Sequence, residues 1–446
     1  MIRSRLVRAA LLLLFFAVCI GIVCTLAFGV NNASLHAFAV VSRPAYVSAP
    51  DPISHAENGW VPQATLAYTG EPSPMIRAIV VHPARVDFVV AGKTIKIARQ
   101  TVTTLPQLVQ VVDNPAWLQM TNGVVQVNVA IIIEANATLD IVAPQVTTVH
   151  LLDAPGVLLG TRTGTLLIEG ITITTWKDGR AQHYNAGGPH PSIVASREAT
   201  MTIRQSHFVG LGWDWNASYG VSWMAGSHGG AWSSSFEYGF IGAYTDHVQG
   251  LTFDRCTFSY NALYGLDPHS TSANLTVSYA IAQFNRGNGI IFSNHVMDSI
   301  ISDSNASFNG ENGIMMDAGS SGNKIERNTV VGNQGDGIVT AQSPGNMLSA
   351  NRITNNRVGI HFTGATSGDR LTNNILYQNE LTQQGVPGGL PEDNVQAENG
   401  GQFVPRTIGM VWIVTALALV LLLLATALLR RRNRRRMLQV WTVRDI

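Results

Sequence analysis

A chain of 446 residues with 29 basic and 28 acidic side chains carries a formal net charge of only +1, and nothing between its two ends is basic enough to bind nucleic acid. Two of its three cysteines, Cys19 and Cys24, lie in an apolar N-terminal run, which leaves Cys256 alone and excludes an internal disulfide from the rest of the chain. Stability must come from a packed core.

In chain order, Arg3, Arg5 and Arg8 precede an uncharged apolar run over 9–28, matching the roughly 20 residues that cross a bilayer. A secretory signal has a shorter apolar region, so the run is read as an anchor, although Ala37-Phe38-Ala39 would serve as a late cleavage site. Ile408 to Leu429 is equally apolar and is followed by an arginine-rich stretch from Arg430 to Arg436. The positive-inside rule then puts both tails in the cytoplasm and everything between the spans outside it. Without the tails, 19 basic and 27 acidic residues remain, so the extracytoplasmic part is acidic by 8 charges.

Residues 40–75 are rich in Pro, Ser and Ala and read as a tether. Alternation over 76–100 predicts two or three short strands, and Thr104 followed by Pro106 and LPQLVQVV predicts a short amphipathic helix that caps a repeat. The expected organisation is tail and anchor 1–30, tether 31–75, cap region 76–116, solenoid 117–385, linker 386–406, span 407–429 and basic tail 430–446.

The solenoid is read from spacing. Gly242, Gly265, Gly289, Gly313, Gly337 and Gly359 recur at steps of 23, 24, 24, 24 and 22, with Asn261, Asn285, Asn309, Asn333, Asn355/Asn356 and Asn379 at the corners. That period is too short for a helical pair and fits one coil of a parallel β-helix, whose rungs stack about 4.8 Å apart. The asparagines are read as an internal amide ladder. After each glycine, Ala243, Leu266, Ile290, Ile314, Ile338 and Ile360 must point inward, and two residues further on so must Thr245, Pro268, Phe292, Met316, Thr340 and Phe362.

Alternation turns the second and fourth residues outward: Tyr244 and Asp246, Asp267 and His269, Ile291 and Ser293, Met315 and Asp317. Asp246 is thus expected one rung from His269, where a carboxylate would raise the histidine pKa or orient the neutral ring as a base on an open groove. Asp246, Asp267 and Asp317 make that groove acidic. A polyanion would need a bridging cation such as Ca²⁺, although no loop has the spacing of a dedicated calcium motif and no metal ligand set is assigned. Trp213, Trp215, Trp223 and Trp232 crowd near the groove with Tyr219 and Tyr244; such rings suit sugar faces, and some of them must be core or lid because large aromatics bury first.

YGLDPHS (Tyr264–Ser270) and NGIIFS (Asn288–Ser293), with GLGWDWNASYGVSW and EYGFIGAYTDHV upstream, resemble the periplasmic mannuronan (alginate) C5-epimerase family over residues 117 to 380. The resemblance implies a right-handed parallel β-helix that removes the C5 proton of a polymeric uronate and returns one to the opposite face. It implies His269 as base and Asp267 as the residue that fixes the turn and the histidine. Ser270 stands where the family has an acid. Asn294, followed by His295, stands where it has a charge-neutralising arginine. His295 or Arg286 would have to substitute. The expected catalytic set is His269, Asp267, Asp246 and His295, and the expected substrate contacts are Tyr244, Ser293, Asn294, Asp317, Trp213, Trp215 and Arg286.

Three functions fit these residues: an epimerase acting on a glycan near a synthase or export complex in the same membrane, a lyase using the same proton abstraction, and a non-catalytic carbohydrate-binding scaffold. A hydrolase is disfavoured because no paired-aspartate motif is visible.

Overall fold

The computed structural model describes residues 77–185, 188–214 and 218–397. The expected spans at 9–28 and 408–429, the tether at 40–75, both basic tails and Trp215 lie outside the described residues. Among those described, no helix is long and apolar enough to cross a membrane.

The repeat winds into a parallel β-solenoid of about 11 turns. Each regular coil contributes one strand to each of three sheets, and among the described residues these have 14, 10 and 14 strands. The first sheet runs from Ala130–Ile133 to Leu381–Gln384. At its N-terminal end it is extended by an antiparallel meander of Arg77–His82, Arg85–Val90 and Lys93–Ala98, whose first strand pairs Ala78 with Ala130. One helix, Leu105–Val112, starts at Thr104 with a capping box to Gln107 and buries Leu105, Leu108 and Val112.

The inward columns are the core. Ala243, Leu266, Ile290, Ile314, Ile338 and Ile360 are each 0% exposed. Full burial of one such aliphatic chain stabilises by about 1.5–3 kcal/mol. Cys256 belongs to the same interior: its thiol lies 3.3 Å from the Ala231 carbonyl, and burial pushes its pKa up to about 12.

Glycine and asparagine columns form one device. Asn261, Asn285, Asn309, Asn333, Asn356 and Asn379 stack amide on amide, each passing Nδ2–H to the next Oδ1 at 2.9–3.1 Å. At the split corner Asn356 takes the ladder position, while Asn355 has φ 57° beside it. The amides fill the space beside the strand-start glycines: a Cβ on Gly265 would meet Asn285 Nδ2 at 2.7 Å and the Gly289 carbonyl at 2.5 Å. Gly265→Ala is therefore expected to destabilise by about 2–4 kcal/mol, within the range of large overpacking effects, and urea unfolding of the variant measures it.

Tyr238, Tyr260, Phe284 and Phe308 hold the outer edge of that corner at φ 57–59°. A left-handed backbone costs a bulky residue roughly 1–2 kcal/mol. Their rings stack at 5.0, 5.1 and 5.5 Å, an arrangement that returns part of this.

Candidate active site on the first sheet

Strand pairing puts Ala243, Tyr244, Thr245 and Asp246 opposite Leu266, Asp267, Pro268 and His269 in order. His269 then bridges Ser293, and Ile314, Met315, Met316 and Asp317 follow in the same register onto Ile338–Ala341. Asp246, His269, Ser293 and Asp317 thus occupy one outward column, with Tyr244, Asp267, Ile291 and Met315 in the column beside it.

Outward is not open. Tyr244, Asp246, Asp267, Ile291 and Ser293 are 3–6% exposed, because each side chain is flanked by the rungs above and below. His269, Met315 and Asp317 in the same two columns are half-buried and keep part of their side chains in solvent.

Burial changes the electrostatics. Asp246 pairs with Nδ1 of its chain neighbour His247. The His269 pKa is lowered to about 4, first by burial and then by the His247 charge, which overturns the expected rise. The ring is neutral at physiological pH. Asp267 moves the opposite way: burial first, then Asp246 and Asp317, hold its carboxyl well above the usual carboxylate range. Its Oδ1 has no hydrogen-bond partner among the described residues.

An acid whose pKa is raised on folding contributes stability only while protonated, and that contribution is lost as pH rises through the folded-state pKa. Asp267→Asn, which cannot ionise, is therefore expected to raise the melting temperature by a few degrees at neutral pH, with the gain shrinking toward pH 4. Calorimetry at two pH values checks this.

Beyond the strand, both substituted positions of the motif take part in one hydrogen-bonded chain. Ser270 Oγ lies 2.5 Å from His269 Nδ1 and accepts from Asn294 Nδ2 at 3.3 Å, and His295 Nδ1 lies 3.0 Å from Asn294 Oδ1. His295 is exposed and is linked to His269 through this chain. Arg286 sits at the corner before the strand Ile290–Phe292, whereas His269 ends its own strand, so the two border opposite edges of the face.

The tryptophans divide. Trp223 lies in an inward column opposite Thr245, is 0% exposed, and donates Nε1–H to the Met201 carbonyl, so it is core. Trp232 ends a strand of the second sheet, with the Arg204 guanidinium 5.8 Å over its ring. Trp213 is half-buried in the loop leading to Tyr219, whose ring lies 4.7 Å from that of Tyr244; the Tyr244 ring in turn lies 5.7 Å from that of His269. Sequence reasoning missed His247 because the column ended at Asp246, although the Asp-His dipeptide was there to be read.

The mannuronan C5-epimerase of Pseudomonas aeruginosa is 28% identical over 213 residues, covering 44% of this chain and 39% of that protein. The Pseudomonas putida enzyme is 24% identical over 251 residues, covering 50% and 46%. The chain resembles the mannuronan C5-epimerases. It spans less than half the length of these curated relatives.

The crystal structure of the periplasmic alginate epimerase AlgG superposes with a TM-score of 0.59 at 21% identity, over 68% of this chain and 80% of that one, and shows the shared fold. Residues 233–394 also match a family described as periplasmic copper-binding protein (NosD). The donor set does not fit copper: among the described residues no group of three or more His, Cys, Asp or Glu could hold a metal ion, and the Cys256 thiol is buried and protonated.

Proposed function

We propose that this chain is a membrane-anchored, extracytoplasmic C5-epimerase of a polymeric uronate, with His269 as the base. One observation carries the reading: on one outward face burial pushes the pKa of a histidine down and that of a carboxyl up. Environments that push two titratable groups in opposite directions supply a base and a hydrogen-bond donor together at neutral pH. The mannuronan C5-epimerases it resembles and the periplasmic location in the name of its structural relative support this reading.

Each residue takes a role. For Nε2 of His269 to accept the C5 proton, Nδ1 must carry the ring hydrogen and donate it to Ser270 Oγ, while the second lone pair of that oxygen takes the Asn294 amide hydrogen. Removal of the proton puts negative charge on the uronate carboxyl. The protonated Asp267 donates to that developing enediolate, where the resembling family uses an arginine. The return proton needs a donor on the other face of the sugar, and Tyr244 is the hydroxyl beside the histidine. Ser293 and Asp317 extend the same column as substrate contacts, with Trp213 and Arg286 at the margins.

Charge is less of an obstacle than the sequence suggests. His247 pairs with Asp246, and burial raises the Asp267 pKa, both of which lessen the negative charge a polyanion meets on this face. The anchor at 9–28 and the second span at 408–429 would hold the site beside a membrane from which a glycan synthase or export complex delivers the polymer.

Product analysis tests the proposal. Full-length protein in detergent is incubated with polymannuronate, and the uronate composition is read by NMR. A changed mannuronate-to-guluronate ratio supports the epimerase, unsaturated chain ends replace it with the lyase, and binding without either product leaves a scaffold.

A further inference from the structure

Farther along the same face, the first sheet carries a second titratable cluster. Asp336 precedes the strand Ile338–Ala341, and its side chain is 4% exposed. Its Oδ2 lies 2.6 Å from His361 Nδ1 and its Oδ1 2.7 Å from Arg357 Nη2. The column it occupies is otherwise an amide ladder: Asn312 donates to Asn288 Oδ1 at 2.9 Å, and the Asp336 backbone N–H donates to Asn312 Oδ1 at 2.8 Å.

Asparagine would continue that ladder without a charge. A carboxylate appears instead where an arginine and a histidine arrive, although a buried ion pair often adds no more stability than a neutral packing. The arrangement orients a guanidinium and an imidazole. Arg357 remains about half-exposed on its outer side.

The register places this cluster on the path of a chain lying along the face. His361 pairs with Val339, and Val339 with Met315, in the column that continues through Ile291 to Asp267. Four rungs, roughly 19 Å, separate Asp267 from His361. The intervening floor of Ile291, Met315 and Val339 is apolar and suits the C–H faces of sugar rings. Extended glycan residues advance by a length close to one rung, so such a chain would keep step with the coils.

We propose that Arg357, His361 and Asp336 form a distal subsite that binds the carboxylate of a uronate several residues from the one at His269. This rests on the reading of the face as a polyuronate site. Asp336 fixes one edge of the Arg357 fork, leaving its other N–H groups for a carboxylate, and His361 adds a polar contact through Nε2. The cluster thereby favours long chains over short ones.

The test uses full-length protein in detergent and calorimetric titration with two sets of oligomannuronates: some too short to reach from His269 to Arg357, others long enough to span both. The ratio of long-chain to short-chain affinity is expected to fall about 10- to 100-fold in Arg357→Gln, the loss of one charged hydrogen bond, and to fall less in Arg357→Lys. His361→Gln, which leaves Asp336 paired to Arg357, guards against a folding defect and is expected to lower the ratio in the same direction. An unchanged ratio in both glutamine variants, with C5 exchange intact in the wild type, overturns the subsite alone. Wild-type protein that binds neither set overturns the subsite and the polyuronate reading together.

Discussion

Replacing Asn309 with alanine is expected to destabilise the solenoid by about 4 kcal/mol or more, at the upper end of single substitutions. Its amide donates to the Ala282 carbonyl at 3.1 Å and to Asn333 Oδ1 at 2.9 Å, and its Oδ1 accepts from Asn285 N at 3.1 Å and Asn285 Nδ2 at 3.0 Å. The residue is fully buried, so alanine leaves several orphaned groups with no access to water. An exposed ion pair offers the contrast. Arg327 bridges Asp303 across one coil, where water screens the pair and its loss costs little. Urea unfolding of Asn309→Ala and Arg327→Ala should therefore differ by several kcal/mol.

The second large effect is chemical. His269→Gln is expected to lower kcat by about 10²–10⁴-fold, the usual contribution of a positioned general base. Polymer binding should stay close to wild type, because the remaining contacts of the face persist. The pH profile gives the sign. His269 works as the neutral ring and Asp267 as the protonated acid, so kcat/KM should fall as pH drops through about 4, where His269 takes a proton, and fall again at higher pH as Asp267 ionises. A limb near the ordinary histidine value of 6.5 would contradict the buried, neutral assignment. Asp267→Asn keeps a donor that cannot ionise, and should lose the alkaline limb while retaining the acid one.

The solenoid was legible because its physics repeats. A glycine that must make room for an amide, and an amide that must meet its copy in the next coil, impose one spacing on the chain. The inward columns followed from strand alternation alone. Two further ladders went unread although they share the period: Ser299–Asn323–Asn346, and Ser304–Asn328–Asn351–Asn374–Asn394. They lie at the other corners of the coil, where Gly322 and Gly345 stand directly before Asn323 and Asn346.

The site was legible in position and less so in chemistry. Columns put Asp246 one rung from His269, but backbone register does not say where a short carboxylate turns, and His247 was nearer. Nor does a column show how deeply neighbouring rungs bury an outward side chain. That burial set the direction of the His269 shift, against the expectation from Asp246. Trp223 is one of the aromatics expected to be core, and extending the columns back by one coil places it inside.

Everything in this account converges on one bond, the C5–H of a polymeric uronate facing Nε2 of His269. The direct measurement is NMR of polymannuronate incubated in heavy water with full-length protein, wild type and His269→Gln side by side. Deuterium appearing at C5 with the wild type and at least 100-fold more slowly with the variant is the expected result. Equal incorporation by both proteins, or none with the wild type while polymer still binds, would contradict it.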